Sequence, residues 1–248
     1  MTIADQIKDY VRNHCPEKKV TDVRMGLGYT GVCLDEDWCG VAFTFKEDLY
    51  HGCSVFNGKR PLVGKSSHEL VDYFGSSALL ESTLGLSAIN ALFNREQEAQ
   101  IAGDVMTMLQ LTPEDRVGMV GYFGPLLIPL REKVKELVIF EIAEDRAEEV
   151  ISSERAYEEL PFCDIAIITS TSLINGTADA LLDAARNCRE IVLLGASTPL
   201  IPDIFKPLGV TLLSGVHVVD IPSILRVLSE GGGMAYFGKA VKKVAIRL

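Results

Sequence analysis

The stretch Arg116-Val117-Gly118-Met119-Val120-Gly121-Tyr122-Phe123-Gly124-Pro125, read together with Glu141, decides the fold. An apolar run, Val117 to Val120, breaks into a glycine-bearing turn. A second apolar run, Leu137 to Phe140, then ends on an acid about 20 residues after that turn. A buried strand, a Gly-turn and a strand-end carboxylate in this order are how a Rossmann-type unit offers backbone amides to an anion and an acceptor to a ribose-like hydroxyl. The glycines stand as Gly118-x-x-Gly121-x-x-Gly124 rather than G-x-G-x-x-G. They allow positive φ and close backbone approach without spelling out a pyrophosphate cradle. A tight strand-to-helix turn with no ligand satisfies the same residues. Pro125 suits the first helical position, whereas Pro129, lacking an N–H, predicts a bent helix or a long loop.

Outward from this stretch, short apolar runs alternate with helical segments, the pattern of a parallel sheet buried on both faces. The strands read as Val117–Val120, Leu137–Phe140, Ile165–Thr169, Ile191–Leu194 and Val210–Leu213, with a last strand, Val244–Arg247, closing an edge. Ligands of open parallel sheets bind beyond the carboxyl ends of the strands. The segments there are polar and Gly-rich: Gly121–Pro125, Glu141, Thr169–Thr177, Gly195–Pro199 and Ser214–Asp220. Some of these residues have plain structural uses. Thr177 is placed to cap a helix over Ala178–Arg186, Asn175-Gly176 to form a turn, and Asp220 to cap a helix running to Leu228. Capping does not account for His217: a lone imidazole in an apolar strand-end segment is more commonly a satisfied structural histidine, and at this edge it is also the first candidate for a general base or metal ligand. No G-x-S-x-G elbow is present, which excludes a serine hydrolase of that type.

Before residue 112 the character differs. The chain reads as helix (Ala4–Asn13), β-hairpin (Val20–Leu34 with Trp38–Phe45), and then helices. Ser66-x-x-Glu69 has the form of a capping box opening a helix over His68–Phe74. A further helix over Ser77–Phe93, apolar nearly all round, must be buried on more than one side. Gly103–Leu111 reads as another helical segment, and Leu111-Thr112-Pro113 as a boundary, giving units of 1–111 and 112–248.

Composition bounds the function. With 248 residues, 48% of them hydrophobic, and a net charge of −10, the chain can build a well-packed core. It offers no dense Lys/Arg run to nucleic acid or an anionic membrane. No apolar stretch approaches the roughly 18 residues of a membrane span, and the amphipathic N-terminus lacks a signal-peptide core. A cytoplasmic protein with a small-molecule partner is expected, and a homo-oligomer is compatible with it. The six cysteines form no C-x-x-C pair. If Asp35-Glu36-Asp37 is a hairpin turn, Cys33 and Cys39 become cross-strand neighbours able to share a soft metal or a disulfide, or to sit as two reduced core thiols. His51-x-Cys53 and His14-Cys15 each supply only two ligands.

The runs GYFGPL, TSTSLINGTADALL, GASTPL, LLSGVHVVD and EGGGMAYFG, with ESTLGLSAINAL upstream, resemble the putative heavy-metal chelation family over nearly the whole chain. The resemblance implies an α/β protein in which a small α+β domain like the enolase N-terminal fold precedes a Rossmann-like parallel-sheet domain. It implies a site at their junction, with partial likeness to Rossmann methyltransferases and with condensation or hydrolysis of flavin-, pterin- or siderophore-like molecules as the chemistry. Carried over by motif, Gly121, Phe123, Gly124, Asn175, Thr177, Ser197, Thr198, His217 and Asp220 surround that cleft, with Asn90 from the first domain.

Two function classes follow. One is an enzyme in which Glu141 meets a ribose-like hydroxyl, loop amides meet an anion, and His217, Asp220 and Asn175 carry the catalysis. The other is a protein that captures a metal or metal chelate without chemistry. The bound group would be a divalent heavy metal or a nucleotide-like ligand. A third reading, an NAD(P)- or S-adenosylmethionine-dependent enzyme, rests on the likeness of the Thr171–Thr177 loop to one in hydroxyacid dehydrogenases and on the methyltransferase likeness. It lacks the catalytic arginine of the former and the acidic Gly-rich loop of the latter. Tyr236-Phe237 after Gly231-Gly232-Gly233 could form an aromatic flap over the cleft.

Overall fold

A computed structural model describes residues 1–35, 37–45, 56–97, 100–103, 105–142 and 150–248. His51 and Cys53 lie outside the described residues. The first unit begins with α1 (Ile3–His14), whose Ile3, Ile7 and Val11 recur at four-residue spacing and are buried, while Thr2 and Asp5 close a capping box at its start. Where one long strand over Val20–Leu34 is expected, the chain turns at Gly26-Leu27-Gly28, with the Gly26 amide donating to the Tyr29 carbonyl. The result is a three-stranded antiparallel sheet of β1 (Val20–Met25), β2 (Tyr29–Leu34) and β3 (Trp38–Phe43), in the order β1-β2-β3. The Ser66–Glu69 capping box is present and opens a short helix, α2 (Ser67–Val71).

Helix α3 (Leu79–Phe93) is buried all round, as its composition predicts. It lies between the small sheet and the second unit, so no face is left for solvent. Its close seat on β3 depends on Gly40: a Cβ there would lie 2.1 Å from the Ala91 amide nitrogen and 2.4 Å from the Ser87 carbonyl oxygen.

The second sheet holds eight strands among the described residues, in the order β4-β11-β10-β9-β8-β5-β6-β7. They are β4 (Ile101–Ala102), β5 (Arg116–Val120), β6 (Glu136–Glu141), β7 (Ile151–Ser152), β8 (Ile165–Thr169), β9 (Glu190–Leu194), β10 (Leu212–Val218) and β11 (Val241–Arg247). Strands β5 to β10 run parallel, and in their spatial order the chain starts at the middle of the sheet and winds outward in both directions. The order reverses between β5 and β8, so the crevice favoured by ligands lies at their carboxyl ends. The crossovers carry α4 (Gly124–Arg131), α5 (Ala156–Glu159), α6 (Ala178–Ala184) and α7 (Pro202–Phe205), and α8 (Ile221–Ser229) follows β10. Pro129 sits inside α4, which ends two residues later. The expected fold class, a small α+β unit followed by a mostly parallel α/β sheet, is what the chain adopts.

Three elements differ from expectation. The last strand closes no edge: β11 pairs antiparallel with β10 along its whole length and is itself covered by β4, drawn from ahead of residue 112. This pairing extends β10 through Val218, so His217 lies within a strand and not on a loop. Gly103–Leu111 makes only a 3-10 turn at Val105–Thr107. The peptide groups that would continue a helix are taken by sheet residues instead. The Gln110 amide donates to Glu190 (3.0 Å), Arg189 donates to the Gln110 carbonyl (2.7 Å), and Arg247 donates to the Met108 carbonyl.

The two units share one continuous core, in which Leu84, Leu86 and Ile89 of α3 meet Ile168, Leu193 and Leu213 of the large sheet. At the amino ends of the strands, Arg189 forks onto both oxygens of the buried Asp115 at 2.7 Å, and Thr112 adds an amide and a hydroxyl. Arg189 above all holds the Asp115 carboxyl down at about 2. A carboxyl depressed by folding stabilises the fold above its unfolded pKa and loses that contribution as pH falls through its folded value. The expected contribution is about 2 kcal/mol, complete at neutral pH and disappearing between about pH 4 and 2. Asp115→Asn should therefore be less stable at pH 7 by about that amount and show a shallower acid limb, measured by urea unfolding across pH.

Candidate functional site

A cleft of about 520 Å³ opens at the reversal of strand order. Its floor is the carboxyl end of three strands: Val120 and Gly121 from β5, Glu141 from β6, and Thr169 from β8. Gly121 takes φ +94°, and a Cβ on it would stand 2.9 Å from the Thr169 Cβ, so this turn admits glycine alone without strain. Glu141 fixes the turn: one carboxylate oxygen accepts from the Tyr122 amide (2.9 Å) and the other from the Ile142 amide (2.7 Å). Among the described residues no other donor reaches them, so each oxygen keeps a second lone pair for a ligand.

The loop after β8 forms one side. Thr169 and Thr171 share a hydroxyl hydrogen bond (3.0 Å), and Ser172 donates to the Thr169 carbonyl (2.7 Å). Asn175 Oδ1 accepts from both the Thr177 hydroxyl (2.8 Å) and the Thr177 amide (3.2 Å). Thr177 is thus turned toward Asn175, and its hydroxyl does not cap α6. The Asn175 amide nitrogen makes no hydrogen bond among the described residues and is free to donate.

The opposite wall comes from the small sheet. Tyr29 and Phe43 are cross-strand partners whose rings meet edge to face (centroids 5.7 Å apart), and Phe45 packs on Phe43 in the same way (5.3 Å). The Tyr29 phenol makes no hydrogen bond among the described residues, and burial pushes its pKa up to about 12. It remains a neutral donor through the physiological range. Phe237 supports Tyr29 from behind (5.0 Å) and is 2% exposed. That position excludes the flap suggested by the glycines before it, since Phe237 is core and only Tyr236 is exposed.

Of the residues expected around the site, the structure brings Gly121, Phe123, Glu141, Asn175 and Thr177 to this cleft. Gly124 lies just outside, at the start of α4. Asn90, Ser197 and Thr198 meet one another but as a buried clamp between the units. Asn90 donates to the carbonyls of Val41 (2.8 Å) and Ser197 (3.1 Å), the Ser197 hydroxyl accepts from the Phe43 amide (2.8 Å), and Asn94 donates to the Thr198 carbonyl (2.8 Å). Asp220 caps α8, accepting from the Ser223 amide (3.1 Å), and is exposed.

His217 is half-buried on β10 opposite Lys242 and does not line the cleft. Burial, then Lys242 and Arg95, lower its pKa against the opposing pull of Glu96, so it is a neutral imidazole at pH 7. No hydrogen bond links it to Asp220 or Asn175 among the described residues. The cleft residues that sequence reasoning missed include Tyr29, Phe43, Phe45, Glu154 and Tyr157. The signal for the first three was aromatic residues on one face of strands that a two-stranded reading paired incompletely.

The densest soft-donor pair is Cys33 and Cys39, cross-strand partners as their spacing predicts, with sulfurs 3.0 Å apart. Both are buried in an apolar cluster with Val41, Val216 and Leu228, and the contact with Cys33 together with burial pushes the Cys39 thiol well up. A heavy-metal site needs deprotonated thiolates and usually three or four ligands. Among the described residues no group of three or more His, Cys, Asp or Glu side chains is placed to hold a metal ion. The donor set of the described residues therefore does not fit a resident heavy metal. No helix of the described residues is long and apolar enough to cross a membrane.

Comparison with known proteins gives matches over both units. The family model DUF4213, described as putative heavy-metal chelation, matches residues 8–93, and DUF364, with the same description, matches residues 104–247. An uncharacterised protein of Methanocaldococcus jannaschii is 29% identical over 259 residues, spanning 99% of this chain and 98% of that protein. A crystal structure of a DUF364-family protein of unknown function from Pyrococcus horikoshii superposes with a TM-score of 0.87 at 27% identity, covering 100% of both chains. Another, from Desulfitobacterium hafniense, gives 0.84 at 26% identity, covering 99% of this chain and 98% of that one.

Proposed function

Because the chain belongs to the putative heavy-metal chelation family, we propose that it binds a small flavin-, pterin- or siderophore-like compound in the cleft between its two units, and that any metal arrives as part of that compound. The observation that carries this reading is the position of the cleft. It lies where the strand order reverses, with a strict-glycine turn and a strand-end carboxylate on one side and three aromatic rings on the other. Such walls match a flat organic molecule. The soft-donor pair at Cys33 and Cys39 lies elsewhere, buried in an apolar cluster where the Cys39 thiol is pushed well up, which favours recognition of a chelator over direct capture of an ion.

Capture is better supported than condensation or hydrolysis. The imidazole expected to move a proton stands on β10 outside the cleft, and both oxygens of Glu141 already accept from backbone amides. A thermal-shift titration with neopterin, riboflavin, adenosine, 2,3-dihydroxybenzoate and Cd²⁺ alone tests the reading. A bound organic probe at a hundred times its Kd should raise Tm by about 5–10 °C. Gly121→Val and Phe45→Ala should each weaken that probe at least tenfold while far-UV circular dichroism stays native. A shift with Cd²⁺ alone and with none of the organic probes would contradict it.

A further inference from the structure

We infer that the cleft selects an uncharged or cationic heteroaromatic compound presenting two adjacent hydrogen-bond donors to Glu141, and discriminates against the phosphorylated form of the same compound. This deepens the cleft reading above and rests on it. The charged side chains lining the cleft among the described residues are two carboxylates, Glu141 and Glu154. The opposing positive potential is the start of α4, whose N-cap Phe123 makes no side-chain bond, and a helix N-terminus is worth roughly half an elementary charge. Among the described residues the two carboxylates outweigh it, and the net charge of −10 adds to the same sign at long range. At about 8 Å and an effective dielectric of about 40–80, each charge pair changes affinity roughly twofold to sixfold, so a triphosphate carries a penalty of at least about tenfold.

The hydrogen-bonding geometry sets the rest of the ligand. Both oxygens of Glu141 are held by the Tyr122 and Ile142 amides, which fixes the carboxylate and leaves one lone pair on each oxygen. A ligand edge with two neighbouring donors satisfies both at once. The vicinal diol of a riboside has this form, and so does the amine–amide edge of a 2-aminopyrimidinone ring. Across the cleft, the Asn175 amide nitrogen and the Tyr29 phenol are donors without partners among the described residues, and they require acceptors on the ligand. Tyr29, Phe43 and Phe45 supply the apolar wall for its ring.

Isothermal titration of the full chain with two matched pairs tests this: adenosine against adenosine triphosphate, and neopterin against neopterin triphosphate. At 50 mM salt the unphosphorylated member of at least one pair should bind at least tenfold more tightly, and 300 mM salt should narrow the gap. Glu154→Gln should narrow it at low salt, and Glu141→Gln should weaken the unphosphorylated member at least tenfold with Tm monitored to confirm folding. Weak binding of 2′-deoxyadenosine relative to adenosine identifies the diol edge, and tight binding of 6-methylpterin, which keeps the ring edge and has no diol, identifies the ring edge. Equal or tighter binding of the triphosphates, or a gap insensitive to Glu154→Gln, overturns the inference. Binding by neither pair also overturns the assigned class, even where riboflavin or 2,3-dihydroxybenzoate occupies the cleft. The cleft reading itself fails separately, when no organic probe responds to Gly121→Val.

Discussion

Replacing Gly40 by valine is expected to destabilise the protein by at least about 3 kcal/mol and to lower Tm by roughly 6–12 °C. The space that a Cβ at this position needs is already filled by the backbone of α3, with the Ala91 amide nitrogen at 2.1 Å and the Ser87 carbonyl oxygen at 2.4 Å. A flexible side chain could swing aside, but a helix backbone cannot. The helix would have to lift from β3, and it is the layer shared by both units, buried on every face. The substitution would loosen the small sheet, the inter-unit clamp and the aromatic wall of the cleft together. Gly233→Ala is the matched control: nothing lies within 4 Å of its Cβ, its φ is −106°, and a change below about 0.5 kcal/mol is expected. Chemical denaturation of both variants decides the matter, and a Gly40→Val protein of unchanged stability would show that the α3–β3 packing is not as close as described.

Asn94→Ala is expected to cost about 2–4 kcal/mol, more than Asn90→Ala. Asn94 ends α3 at 2% exposure, donating to the Thr198 carbonyl (2.8 Å) and accepting from the Leu200 amide (2.9 Å). Truncation leaves one buried donor and one buried acceptor of the second unit without partners. Asn90 also bridges the units through its amide nitrogen, but its own oxygen has no partner. Its removal relieves one unsatisfied atom while creating two, so its loss should be the smaller. Urea unfolding that ranks Asn90→Ala above Asn94→Ala would overturn this account of the clamp.

The parallel sheet was legible because its strands are short apolar runs bounded by turns, a pattern that burial on both faces imposes. The Gly121 turn and Glu141 were legible for a related reason: positive φ and a strand-end acid leave traces in residue type. His217 was misplaced because strand length in an antiparallel pair depends on the partner. The sequence of β10 alone does not reveal that β11 runs beside it through Val218. Ser197, Thr198 and Asn90, expected around the cleft, do not line it: their polarity serves buried hydrogen bonds between the small sheet, α3 and the Gly195–Pro199 segment, which look the same in sequence as a ligand shell. The aromatic wall was missed because Tyr29 faces Phe43 only after the chain reverses at Gly26-Leu27-Gly28. The helix expected at Gly103–Leu111 failed because charged residues distant in sequence, Arg189, Glu190 and Arg247, take up its peptide groups.

The central claim, that a small organic molecule occupies the cleft where β5, β6 and β8 end, is tested most directly by an amide ¹H–¹⁵N titration with the strongest-binding probe. Resonances of Gly121, Tyr122, Asn175 and Phe43 should move together and saturate with a single Kd. Saturable changes confined to Cys33, Cys39 and His217, with the Gly121 turn unmoved, would contradict it.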